Sequence, residues 1–160
     1  MDLTPTQLQT FKSAILADPN LADEVAAGAN GDIANAFNVD AAPQFTVWRT
    51  RVTREECSVE GFDWTQVDNL TVGQARIWDW LFASGSADPS EGGVRAGITE
   101  CWKGTAAKVL VRDFVLGKCK RLATRFERLY TTGTGSTVDP GKLVIEGAVS
   151  SELVAQALSS

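Results

Sequence analysis

The chain of 160 residues carries 15 lysines and arginines against 20 aspartates and glutamates, with no histidine, three cysteines, five tryptophans and a net charge of −5. An apolar share of 44% with 22% charged residues is that of a globular chain rather than a disordered or fibrous one, and the length suits one compact unit with its own core. No apolar run approaches the about 18 residues that span a bilayer, and the opening MDLTPTQLQTFK lacks the basic start and apolar centre of a secretion signal, so a soluble protein made in a cytoplasm, without membrane contact, is expected.

Thr4 suits an N-cap and Pro5 a first helical position, and Leu8, Phe11, Ile15 and Leu16 follow at helical spacing, which predicts an amphipathic helix ending near DPN. LADEVAAG and DIANAFN predict two shorter helices separated by the glycines of GANG. From Ala42 and Pro43 the chain turns irregular, and QFTVWRTRVTREE fits a strand through the alternation of Phe45 and Val47 as well as it fits a helix.

Residues 61–80, GFDWTQVDNLTVGQARIWDW, hold three of the five tryptophans. Asp63, Asp68 and Asn69 are turn formers, and Thr71 with Gln74 spells a capping box, so a helix is expected from about residue 72. On it Ala75, Trp78 and Phe82 share one stripe, while Trp80 points away from Trp78, because positions two apart on a helix differ by about 200°. One indole therefore needs a second surface, either within the same core or on another subunit.

After SGSADPSEGG, the segment VRAGITECWKG predicts a short helix closed by Gly104. The longest expected helix then runs from Thr105 to about Tyr130. Val111, Val115, Cys119, Leu122, Phe126 and Leu129 form its apolar stripe, and Lys118, Arg121, Arg125 and Arg128 a basic stripe beside it, suited to solvent or to an acidic partner. TTGTGSTVDPGK reads as loop, LVIEGAVS as a strand or extended arm, and SELVAQAL as a short helix capped by Ser150 or Ser151. The arm can pair with the region 45–60 or add to the edge of a neighbouring subunit.

Charge is unevenly placed. Residues 1–40 set six acids against Lys12 alone, whereas residues 101–128 set eight cations against Asp113 and Glu127. Such a dipolar chain suits docking on a charged partner or on copies of itself.

Catalytic chemistry finds little to work with. Histidine, the commonest general base, is absent, and Asp63, Asp68 and Asp79 sit where turns and caps use carboxylates structurally. Cys57, Cys101 and Cys119 cannot all pair, show no metal-ligand spacing and suit small buried thiols, with no base placed to make a nucleophile of Cys119. GTGS at 133–136 lacks the lysine of a phosphate loop and the third glycine of a dinucleotide fingerprint, and the Asn69–Thr71 triplet matches a glycosylation acceptor only in form. A sequence pI near 4.7 argues against a dedicated nucleic-acid binder. No enzyme activity, cofactor or metal is expected.

The stretches PQFTVWRTRV, GFDWTQVDNLTVGQARIWDW, VRAGITECWKGTAAKVLVR and KRLATRFERLYTTGTGS, within residues 43–136, together resemble a family of structural proteins of tailed-bacteriophage virions. The resemblance implies a head-to-tail adaptor or connector: a small helical protein arranged as a homo-oligomeric ring of about twelve copies between the portal protein and the tail or neck proteins. It further implies a lumen through which DNA passes without specific binding. A tail terminator, head-completion or decoration protein is the alternative within the virion, and a DNA-binding regulator the rival outside it.

The expected fold is mainly α: a single helical domain, a bundle over residues 1–131, followed over 132–160 by a loop, an extended arm and a short C-terminal helix. The interface residues expected are Arg49, Trp64, Trp78, Trp80, Trp102, Arg121, Arg125 and Arg128, with Leu143, Val144, Ile145 and Glu146 as an intersubunit arm.

Overall fold

The computed structural model describes residues 1–160 and is mainly helical. In chain order it runs through α1 (Pro5–Leu16), a 3-10 turn (Pro19–Leu21), α2 (Ala22–Ala27), α3 (Asn30–Phe37), β1 (Thr46–Trp48) and α4 (Arg54–Cys57). A second 3-10 turn (Trp64–Gln66), α5 (Val72–Leu81), α6 (Gly92–Cys101), α7 (Ala106–Lys118) and β2 (Lys120–Leu122) follow. The chain closes with α8 (Arg125–Arg128), β3 (Thr131–Thr132), β4 (Lys142–Leu143) and α9 (Ser151–Ser159). It divides into two compact units, Met1–Thr46 with Leu122–Ser160, and Val47–Arg121. β1 and β2 form a two-stranded sheet, and β3 pairs antiparallel with β4.

Threonines start four of the helices by the same device. Thr4, Thr53, Thr71 and Thr124 each accept a hydrogen bond from the backbone three residues on, while the Gln or Glu at that position bonds back, satisfying two amides that the helix leaves open. The box at Thr124 overturns the long helix expected to Tyr130. α7 ends at Lys118, the chain passes through β2, and Thr124 then opens the separate helix α8. Its apolar stripe is divided accordingly: Val111, Val115 and Cys119 belong to the core of the second unit, Phe126 to that of the first.

The core of the first unit is built on Phe11 of α1, which meets Phe37 edge-on at 5.1 Å and Phe126 at 5.0 Å between ring centroids. α9 closes it with Leu153, Val154 and Ala157. The segment expected as an arm is thus held within its own chain. Leu143 pairs with Thr131, the Gly147 amide donates to the buried Glu127 carboxylate at 3.1 Å, and the side-chain amide of Asn38 brackets Val149, donating to its carbonyl at 2.9 Å and accepting from its N–H at 2.8 Å. The GTG run has a packing role. The Thr46 amide donates to the Gly135 carbonyl at 2.7 Å, and a β-carbon on Gly135 would lie 2.3 Å from the Phe45 ring.

In the second unit α5 and α6 lie side by side, and Gly97 permits it: a β-carbon there would come within 3.1 Å of Leu81. Trp102 sits wholly buried between Trp78, at 5.3 Å, and Phe62, at 5.7 Å. No helix of the protein is long and apolar enough to cross a membrane.

Candidate functional site

α5 carries two different faces. Ala75, Trp78 and Asp79 look toward the loop 58–70 and, with Phe62, Trp64 and Val67, line a recess of about 270 Å³. Asp63 caps the 3-10 turn that holds Trp64, its carboxylate accepting from the Thr65 hydroxyl at 2.6 Å and from the Thr65 amide at 3.1 Å, and these bonds, the hydroxyl's first, hold the Asp63 carboxyl below its usual range. Trp64 meets Phe62 at 4.9 Å yet leaves 62% of its surface exposed. At the rim Arg54 pairs with Asp79 at 2.9 Å. The loop brings Glu60, Asp63 and Asp68 to the surface and holds no lysine or arginine.

Trp80 stands about 150° away around the helix from the recess-lining positions. Its indole is 82% exposed and borders a shallow groove of about 490 Å³ together with Ile77, Leu81 and Val94. Val72, Arg76 and Trp80 succeed one another a turn apart as an exposed row, and Arg76 makes no ion pair within the chain. Exposed indoles beside apolar recesses, one on each side of a helix, are suited to protein contact.

All three cysteines are buried, free and without a metal-binding cluster around them. Burial pushes the Cys101 thiol up to about 12, and its hydrogen bond with Cys57, together with burial, holds Cys119 far above the ordinary thiol range. A neighbouring buried cation is also accounted for: Lys108 donates to the side-chain oxygen of Gln74 at 3.0 Å, and Gln74 in turn donates to the Lys103 carbonyl at 3.3 Å.

Of the expected interface residues, Trp64 and Trp80 are the two tryptophans that reach the surface. Trp78 and Trp102 are core, because the α5 and α6 faces that carry them close on Phe62 and Phe82. Arg49 ion-pairs with Glu56, whose carboxyl is held below its usual range by that guanidinium. The basic stripe is dispersed by the break after Lys118. Lys118 lies over Phe114 at 4.9 Å, Arg121 is on β2, Arg125 pairs with Asp18 and lies over Phe37, and Arg128 donates to the carbonyls of Ala42 and Pro43 at 3.3 Å. In the expected arm Leu143 is buried, Ile145 half-buried against the core, and Val144 and Glu146 are exposed. The sequence reasoning missed Val67, Val72 and Arg76. The spacing of Val72 and Arg76, two turns and one turn before Trp80, was the available signal. The chain matches no protein-family model, no curated protein and no solved structure.

Proposed function

We propose that the protein is a structural component of a tailed-bacteriophage virion, a head-to-tail adaptor or connector that forms a ring between portal and tail. The observation that carries an assembly role is Trp80, an indole left 82% exposed beside an apolar groove on a helix whose other tryptophan, Trp78, is buried. A tryptophan so placed costs solubility and gains binding energy only when a partner covers it. Charge is compatible with the same role: the first unit sets ten acids against four bases and the second ten against eleven, so charge is unevenly shared along the subunit. The place within the virion rests on the resemblance of residues 43–136.

The test is the native mass of the purified protein alone and mixed with the portal protein of the same phage, together with antibody labelling of intact particles. A closed ring or a stoichiometric portal complex, with label at the neck, is expected. A monomer indifferent to the portal overturns the connector role; label over the capsid faces or along the tail would reassign the protein to decoration or tail completion.

A further inference from the structure

Resting on the assembly role proposed above, we infer that like copies join head to tail through α5, with Trp80 of one copy seated in the recess between Trp64 and Trp78 of the next. The occupant is a second copy of this chain, and three observations select it.

The first is size. A recess of about 270 Å³ lies below the usual 300–1,000 Å³ of small-molecule sites and suits one large side chain. The protein itself presents such a side chain, since Trp80 projects from α5 with its indole almost wholly in solvent. Aromatic walls from Phe62, Trp64 and Trp78 would meet the incoming ring edge-on or offset, the geometries aromatic pairs prefer.

The second is charge. The loop that walls the recess exposes Glu60, Asp63 and Asp68 with no base among residues 58–70. Arg76 stands one turn before Trp80 on the same exposed row and has no acidic partner in its own chain. Seating Trp80 carries Arg76 onto that acidic loop, which fixes the direction of approach and disfavours a loop-to-loop contact between equal acids.

The third is direction. Knob and recess lie on one helix about 150° apart, so filling a recess leaves the incoming copy's own recess open on its far side. Such a contact is heterologous and propagates, closing into a ring where the rotation per copy permits.

The experiment uses the full chain and sedimentation velocity. Trp80→Ala removes the knob, and Ala75→Leu fills the recess from its floor; Val67→Lys, which places a cation at the recess wall, serves as a second recess variant should Ala75→Leu melt early. Wild type is expected to associate beyond a dimer, and each variant to associate about 30-fold more weakly or worse while melting near wild type. An equimolar mixture of a knob variant and a recess variant is expected to form a dimer and nothing larger, because one intact knob meets one intact recess. Trp80→Ala that associates like wild type, a wild type that stays monomeric or stops at a dimer, or a mixture of folded variants that stays monomeric would each overturn the contact. Association that Trp80→Ala abolishes, in a protein missing from the phage neck, would retain the contact and remove the head-to-tail role; a neck protein whose association ignores Trp80 would do the reverse.

Discussion

Trp78 and Trp80 leave the same helix two residues apart and end in opposite surroundings: Trp78 packs on Trp102 with ring centroids 5.3 Å apart, while Trp80 is 82% exposed. A helix turns through about 200° in two residues, so one core can cover only one of them. The energetic and spectroscopic consequences for the two classes of tryptophan differ accordingly.

Trp102 is wholly buried, and its indole N–H finds no hydrogen-bond partner. Trp102→Ala should destabilise the protein by about 3–5 kcal/mol through the lost contacts and the cavity left behind. Trp102→Phe should cost much less, because the phenyl ring keeps most of the buried contacts that alanine gives up. Chemical denaturation of the two variants checks the order, and equal losses would show that a phenyl ring at this site recovers none of the packing.

Trp80→Ala should shift stability by no more than about 0.5 kcal/mol, as surface substitutions do. The same variant should lose the tryptophan emission most readily quenched by acrylamide in a dilute sample, while Trp78→Phe leaves that component in place. Quenching that survives in Trp80→Ala at full amplitude would assign the accessible indole to Trp64 alone.

Gly135 has φ +69° and lies against the Phe45 ring, so Gly135→Ala meets both an unfavourable backbone and a clash. A loss of more than about 1 kcal/mol is expected. In a Phe45→Ala background the steric part should vanish and the backbone part persist, so a double-mutant cycle should show strong coupling. Additive losses would place the cost in the backbone only.

The Arg125 guanidinium, bonded to Asp18, holds that carboxyl below its ordinary value, with the Asn20 amide adding to the effect. A carboxyl depressed in the folded state contributes stability that is present above its unfolded pKa, about 3.9, and is lost as pH falls through the folded value. Asp18→Asn should therefore weaken the protein at pH 7 and lose most of that deficit near pH 2, measured by urea midpoints. An equal deficit at both pH values would mean that the charge is not what Asp18 supplies.

Local chemistry was legible where it was local. Thr71 with Gln74 announced the start of α5 at Val72, and the alternating fates of Trp78 and Trp80 followed from helix geometry. The break after Lys118 was hidden because Cys119 and Phe126 stand seven residues apart, two helical turns, so the apolar spacing of an unbroken helix survives although the two side chains enter different cores. The capping box of Thr124 and Glu127 was present in the letters but outweighed by that spacing. The fixing of LVIEGAVS depends on Glu127 and Asn38, which lie 20 and 111 residues from their partners, and no window along the chain contains both ends of such a bond. The recess was likewise out of reach, since Arg54 and the loop 58–70 meet α5 only after folding.

The second unit is one continuous stretch, and its two ends run together: at β1 and β2 the Arg49 amide donates to the Cys119 carbonyl at 2.9 Å, just as in the first unit Ala123 donates to Phe45 at 2.8 Å. Residues 47–121 thus enter and leave through a single doorway, as an insertion in a host chain does, and neighbouring termini are what transplantation of a module requires. The stretch that bears Trp64 and Trp80 can therefore be exchanged, lengthened or lost without rethreading the rest of the chain.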